Sequence, residues 1–258
     1  MELDHLVIFV PSLAQGIAHF KELGFEVIEG GQHDATENAL IVFQDHTYIE
    51  LLALKRDRTR PLIRMAAALG LIKTISRSKR DVSWRLLKWV SQGYGSIDWC
   101  IRVGDVDAVL AEWANADAPG LGSRSFSRKR TDGALAEWRL GSLKNNDLPL
   151  LLSDLTSMHQ RLPSPPRQHA NGATGIRKLW VATQDQQHAT TQFDRCFDRI
   201  QTGVDSNPVY TLSKHQIELV GRNHHRGKCA LALTYSGDKT LTLDPEKTFG
   251  MSISLVPA

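Results

Sequence analysis

The sequence predicts an α+β protein built from repeated βαβββ modules. The modules form curved mixed sheets, with a helical insertion between the first two. Three observations lead there. Leu3–Gly24 reads as a strand running straight into a helix. The same plan reopens near Ile97 and again near Ile176. Behind the first helix lie three short strand-like runs, which complete a βαβββ count.

In LDHLVIFV, Leu6, Ile8 and Val10 alternate with Leu3, His5, Val7 and Phe9. Both faces are then mostly apolar, as in a strand covered on each side. Pro11 stops it, and Ser12 stands as a helix N-cap with Gln15 three residues on. Leu13, Ile17 and Phe20 fall at helical spacing, and Gly24 supplies a left-handed terminator. Strands follow at Phe25–Glu29, Ala39–Phe43 and Thr47–Leu54, the last two joined by a turn at Asp45 and His46.

Residues 55–95 break the rhythm. Helices are expected over Pro61–Ile72 and Val82–Ser91, the second with Trp84, Leu86, Leu87 and Val90 as its buried stripe. Eleven Lys and Arg residues oppose only Asp57 and Asp81 between Lys55 and Lys88. This is either a solvated basic face or a rim that attracts an anionic ligand. Ser96–Val103 then reopens the plan, and Asp105 caps a helix carrying Val106, Val109, Leu110 and Trp113 on one face. A loop is expected over residues 119–131, then strands at Ala134–Leu140 and Leu148–Leu155. Leu162–Gly175 is rich in proline and reads as a linker. Ile176–Thr183 opens a third unit, whose helix is capped by Asp185 and runs through Ala189, Phe193 and Ile200. Strands are expected at Val209–Leu212, Gln216–Val220, Cys229–Tyr235, Thr240–Leu243 and Met251–Val256. The division is a paired-module domain over 1–160 (modules 1–54 and 96–160 around the insertion), a linker over 161–175, and a third module over 176–258.

Composition excludes several classes. The 258 residues are 41% hydrophobic, enough for a substantial core, and the net charge of +3 does not call for nucleic acid. Cys100, Cys196 and Cys229 are odd in number and far apart, which points to a reducing, cytoplasmic setting. No basic-then-apolar leader and no run of membrane-spanning length is read. Walker loop, nucleophile elbow, HExxH and Rossmann patterns are missing.

The chemistry-bearing residues are few. His5 and Glu50 each sit in the middle of an apolar strand, where an unpaired charge is costly. First and last strands of one module would bring them together on the concave side. An imidazole and a carboxylate so placed suit a divalent metal, a general base with its orienting partner, or a purely structural pair. Asn38, on the glycine-led GGQHDATEN stretch, either hydrogen-bonds a substrate carbonyl or caps the loop; His33 either shuttles a proton or faces water. Arg102 and Arg139, the latter beside Trp138, either clamp an anionic substrate group or pair with Glu137 or Asp98.

Taken together, DHLVIFV, LGFEV, GGQHDATEN, YIELLAL, RKRTDGALAEWRL, LPLLLSD and HANGATGI resemble the vicinal oxygen chelate superfamily, and within it the glyoxalase-like family. The resemblance spans nearly the whole chain. It implies a cup formed by two βαβββ modules, each offering a metal ligand from its first and last strands. On that pattern His5 and Glu50 are module one's ligands. Asp98 stands where module two would offer histidine, with Ser153 or Asp154 where it would offer glutamate. Lys178 takes the equivalent place in the third unit. A His5/Glu50/Asp98 set would suit Mn, Fe, Ni or Zn. The resemblance further implies a lyase, isomerase or dioxygenase acting on a small oxygen-rich molecule, with Glu50 or a bound water moving a proton. The alternative is a metal-free binding protein like the bleomycin-resistance relatives. Homodimers occur in the superfamily. A docking site in the basic 55–95 segment for a phosphorylated partner or coenzyme A tail is a third expectation.

Overall fold

The computed structural model describes residues 1–32, 36–55, 61, 65, 82–91, 93–129, 133–162, 168–201 and 206–258. The helix expected over Pro61–Ile72 lies largely outside these residues, as do His33 and most of the basic segment.

Module one runs β1 (Glu2–Phe9), α1 (Leu13–Glu22), β2 (Ile28–Gln32), β3 (Thr36–Val42) and β4 (Tyr48–Leu54). Ser12 Oγ accepts from the Gln15 amide at 3.3 Å, so the cap forms as expected. Gly24 ends the helix at φ 84°, and a Cβ there would meet Asn171 at 3.0 Å, so only glycine fits. β1 pairs parallel with β4, and β3 with β4 antiparallel through the expected turn.

The insertion contributes α2 (Val82–Ser91), and module two follows with β5 (Gly95–Arg102), α3 (Val106–Asn115), β6 (Gly120–Lys129), β7 (Leu135–Leu143) and β8 (Leu150–Asp154). The expected loop at 119–131 is therefore mostly strand. β6 is an edge strand with a largely polar, exposed run, so it lacks the apolar alternation that marks a half-buried strand. Asp105 caps α3 by accepting from the amides of Asp107 and Ala108 at 2.8 and 3.2 Å. The sheet order is β2-β3-β4-β1-β5-β8-β7-β6, with β1 and β5 antiparallel at its centre.

A short helix, α4 (Met158–Arg161), leads to the C-terminal part. There β9 (Ala173–Thr183), α5 (Gln186–Cys196), β10 (Arg199–Gln201), β11 (Val209–Leu212) and β12 (His215–Gly221) repeat the module. β13 (Cys229–Tyr235), β14 (Leu241–Thr242) and β15 (Ile253–Pro257) complete a second sheet, ordered β10-β11-β12-β9-β13-β15-β14. Ile200, expected on the third helix, instead lies in β10 and is exposed.

Both sheets curve, in half-barrel fashion. One large core joins them: Leu6, Ile8 and Trp99 from the first sheet, Leu179, Leu219 and Leu231 from the second, and Phe20, Trp113 and Phe193 from α1, α3 and α5. A second cluster fills the other face of the first sheet, with Val7, Phe9, Leu52, Cys100, Trp138 and Leu150, and Trp89 of α2 joins it. No helix among the described residues is long and apolar enough to cross a membrane.

A bulge in β1 corrects the simple alternation. The β1–β5 register shifts between Leu3 and His5, so Asp4 is the extra residue. Leu3 therefore joins the large core instead of sharing a face with His5, and the Asp4 and His5 side chains meet. A matching shift lies between Val7 and Ile8, with Ile97 as β5's extra residue. The two bulges obey one approximate two-fold. His5 faces Cys100, and Val7 faces Asp98. Asp98 is thus the counterpart of His5, and Cys100 of Val7.

Candidate functional site

β1 and β4 carry the site. Val7 aligns with Glu50 across the parallel pair, which sets Glu50 one step from His5 on the same face. His5 Nε2 lies 3.6 Å from Glu50 Oε2. Each partner is aimed from behind. The His5 Nδ1 lies 2.7 Å from Asp4 Oδ1, which fixes the ring so that Nε2 faces Glu50. Asn38 Nδ2 donates to Glu50 Oε1 at 2.5 Å, which leaves Oε2 toward His5. The Tyr48 ring stacks on His5 with centroids 4.5 Å apart.

Asp4 is itself clamped. Arg161, from α4, donates to its two oxygens at 3.1 and 2.8 Å, to Tyr48 Oη at 2.9 Å, and to Asp154 at 2.6 and 3.2 Å. Burial pushes the Asp4 carboxyl up, but the Arg161 charge and the His5 contact outweigh it and hold Asp4 well below the usual carboxylate range. Burial, with the Asp4 charge, raises the Tyr48 phenol.

Module two is built differently. Asp98 Oδ2 and Oδ1 accept from Arg85 Nε and Nη2, each at 2.5 Å; Trp89 Nε1 adds a bond at 2.7 Å and Lys228 Nζ one at 2.8 Å. Arg85 and Asp98 are both buried. Burial raises the Asp98 carboxyl, but Arg85 and Lys228 more than compensate and keep it well below its usual range. The structure therefore does not bring Asp98 to His5 and Glu50 as a third ligand. Its lone pairs are spent on the insertion helix and on the second sheet. The counterpart of Glu50 is also neither Ser153 nor Asp154. Cys100 aligns with Leu150, so register puts an apolar leucine there.

The remaining sequence-based candidates fall as follows. Trp138 packs in the apolar cluster beneath α2. Arg139, its neighbour, points to the opposite face and pairs with Asp107 of α3, which removes it from the cup. Arg102 pairs with Glu2 and lies 3.8 Å from Asp4 Oδ2, so it borders the site through Asp4. Neither arginine takes the Glu137 or Asp98 partner expected. Sequence reasoning missed Asp4, Arg161 and Arg85. The adjacency of Asp4 to His5 was the available signal for the first; nothing local marks the two arginines. An open surface hollow lined by Asp45, Arg177 and Lys214 shares none of these residues.

The donor set can be tested against a metal. A neutral His5 hydrogen-bonded at Nδ1 turns a lone pair toward a carboxylate lone pair, and only a cation between them, proton or metal, makes that arrangement favourable. His5 and Glu50 fit a divalent ion as a two-point site. The four-ligand arrangement does not fit, because Asp98 and Leu150 stand at the other two positions. Among the described residues no cluster of three or more His, Cys, Asp or Glu side chains is placed to hold an ion.

Paired βαβββ modules forming a curved half-barrel are the fold of vicinal oxygen chelate proteins. The Glyoxalase-like domain family matches residues 3–197, and the chain belongs to that family. Three solved structures show the same fold. A hypothetical protein from Staphylococcus aureus aligns with TM-score 0.75 at 16% identity, covering 100% of this chain and 99% of that one. The 2,3-dioxygenase LapB from Pseudomonas sp. KL28 aligns at 0.56 and 11%, covering 100% and 92%. The Mn(II)-bound glyoxalase from Novosphingobium aromaticivorans aligns at 0.54 and 10%, covering 99% and 81%. No curated protein matches the chain.

Proposed function

We propose that the protein is a glyoxalase-like enzyme of the lyase, isomerase or dioxygenase type, acting on a small oxygen-rich molecule at the module-one site. The observation that carries this reading is the convergence of His5 Nε2 and Glu50 Oε2 at 3.6 Å, each fixed from behind by a separate polar partner. His5 and Glu50 would hold a divalent ion such as Mn, Fe, Ni or Zn, which would polarise the substrate oxygens. Asp4 keeps the imidazole in one tautomer and orientation. Asn38 holds Glu50 Oε1 and leaves Oε2 open, either to meet the ion or to hold or move a proton at a substrate carbon or oxygen. Tyr48, packed with Leu40, Val42 and Leu162, would restrict water on that side of His5.

A second reading is a metal-free small-molecule binder. It is favoured by module two, where Arg85 occupies the Asp98 carboxylate, Leu150 stands at the other ligand position, and Trp89 of α2 packs on that face of the sheet. Metal content of protein purified without chelator or histidine tag decides between the two. The enzyme reading expects a transition metal at about one per chain, lost in His5→Ala and Glu50→Ala. Protein that is folded but metal-free, and takes up none on titration with Mn, Fe, Ni or Zn, overturns it in favour of the binder.

A further inference from the structure

Glu50 is aimed by Asn38, and Asn38 in turn fits into a gap in the neighbouring strand. β2 pairs antiparallel with β3, Ile28 facing Leu40 and Glu29 facing Ala39, but the next pair is Gln32 with Glu37. Gly30 and Gly31 together therefore oppose the single residue Asn38. A Cβ on Gly30 would fall inside contact distance of Asn38 Oδ1 and 2.9 Å from Asn38 Cγ. The amide that donates to Glu50 Oε1 thus occupies the space where any other residue at position 30 would carry its side chain. The backbone does not demand glycine here, since Gly30 is not among the residues with positive φ. What the missing side chain supplies is room.

The repeats of the fold supply two internal comparisons. The approximate two-fold that makes Leu150 the counterpart of Glu50 makes Leu152 that of Leu52. Asn38 faces Leu52 and Leu140 faces Leu152, so Leu140 takes the place of Asn38. Arg124 of β6 faces Leu140. Module one therefore sets Gly30, Asn38 and Glu50 across three adjacent strands, where module two sets Arg124, Leu140 and Leu150. Where the carboxylate is lost, the amide and the gap are lost with it. The second sheet keeps amide and carboxylate together. Val209 faces Glu218 as Leu40 faces Glu50, and Asn207, two residues before Val209, donates to Glu218 Oε1 at 2.8 Å. There Gln186 donates to Asn207 Oδ1 at 3.0 Å, so a side chain does for Asn207 what the gap does for Asn38.

We propose that Gly30 is a positioning residue for the module-one site. It seats the Asn38 amide, which holds Glu50 Oε1 and keeps Oε2 turned toward His5. The proposal rests on the reading of Glu50 as the working carboxylate. The Asn38–Glu50 bond can be observed without any ion, so the two stand or fall separately.

The test uses the full chain labelled with 15N, with the Asn38 side-chain amide pair assigned by its loss in Asn38→Ala. Glu50→Ala removes the acceptor and should shift that pair. Gly30→Ala should shift it as well, and adding Glu50→Ala to Gly30→Ala should move it no further. Calorimetric titration with Mn(II) or Zn(II) gives the second readout. Gly30→Ala should weaken the ion at least about tenfold, as expected when a ligand loses the partner behind it. The double variant Gly30→Ala/Asn38→Ala should bind as Asn38→Ala does. An Asn38 amide unmoved in Gly30→Ala, or a double variant clearly weaker than Asn38→Ala, overturns the proposal. A parent chain that takes up no ion counts against the enzyme reading, and the amide measurement still decides the role of Gly30. Should Gly30→Ala fail to fold, stability in urea decides. With Asn38 cut back to alanine, the nearest remaining atom to a Cβ at position 30 is the residue 38 carbonyl oxygen at 3.1 Å, a tolerable contact. The double variant should then match Asn38→Ala in its urea midpoint, and a lower midpoint overturns the proposal.

Discussion

At the scale of single residues, Asp4 is the side chain on which the first site turns. It touches His5 on one side and Arg161 on the other, so His5 is held by a buried carboxylate that is itself held. Asp4→Asn keeps the shape and removes the charge. The imidazole then loses the partner that fixes its tautomer. Affinity for a divalent ion should fall about 10- to 100-fold, with the far-ultraviolet spectrum unchanged. Calorimetric titration with Mn(II) or Zn(II) checks this, and parental affinity in the folded variant would remove Asp4 from the site. His5 and Glu50 were legible because polar residues inside apolar strands are costly and therefore conspicuous. Asp4 was not, since strict alternation assigns it to the opposite face. Only the bulge turns it round, and a bulge leaves no mark in hydrophobic periodicity.

Among the elements, α2 decides what becomes of Asp98, the counterpart of His5 in module two. A helix from the insertion drives a buried arginine onto the residue that two-fold symmetry pairs with His5. The fork geometry of Arg85 on Asp98 is joined by Trp89 and Lys228, and Arg85 Nη2 also donates to the Leu148 carbonyl at 2.7 Å. Arg85→Ala leaves Asp98 buried with fewer partners, a change that should cost about 3–5 kcal/mol. Urea denaturation measures it. A loss within error of zero would mean that α2 does not depend on this contact. The helix itself was legible from spacing, and Val90 of its expected stripe packs on the second cluster; the side chains of Trp84, Leu86 and Leu87 lie outside the described ones. Arg85 and Trp89 line the contact, and a charged residue in an amphipathic segment reads as surface until its counterion is known. β6 shows the converse limit. Its polar edge carries strand geometry without strand patterning, so sequence assigns it to a loop.

For the whole molecule, the repeat was legible because each module opens alike, with an apolar strand followed by a capped helix. β13 to β15 fall where strands were expected, and no helix separates them from the third module. The two sheets share a core, and Trp99 of the first stacks on Phe193 of α5 with centroids 6.2 Å apart. Trp99→Ala should therefore lower stability by about 3–5 kcal/mol. It should do so in one transition, with far-ultraviolet ellipticity and tryptophan emission coinciding. Two separated transitions would show that the sheets unfold independently.

Acid stability follows from the same assembly. Asp4 and Asp98 are buried carboxyls in different strands, each held below the ordinary range by arginine. A group whose folded pKa is depressed contributes stability that is complete above its unfolded value, near about 4, and lost as pH falls through the folded value. Lys228 acts on the alkaline side. Burial lowers its pKa despite Asp98, so the unfolded chain binds the extra proton and stability rises with pH between the two values. The urea midpoint should hold from about pH 6 down to about pH 5 and fall below about pH 4. In Asp4→Asn the acid slope should be shallower by up to about one proton, or about 1.4 kcal/mol per pH unit. If the parent and Asp4→Asn lose stability along parallel lines below about pH 4, Asp4 is not ionised in the folded protein. The clamp by Arg161 would then not be the ion pair that aims His5.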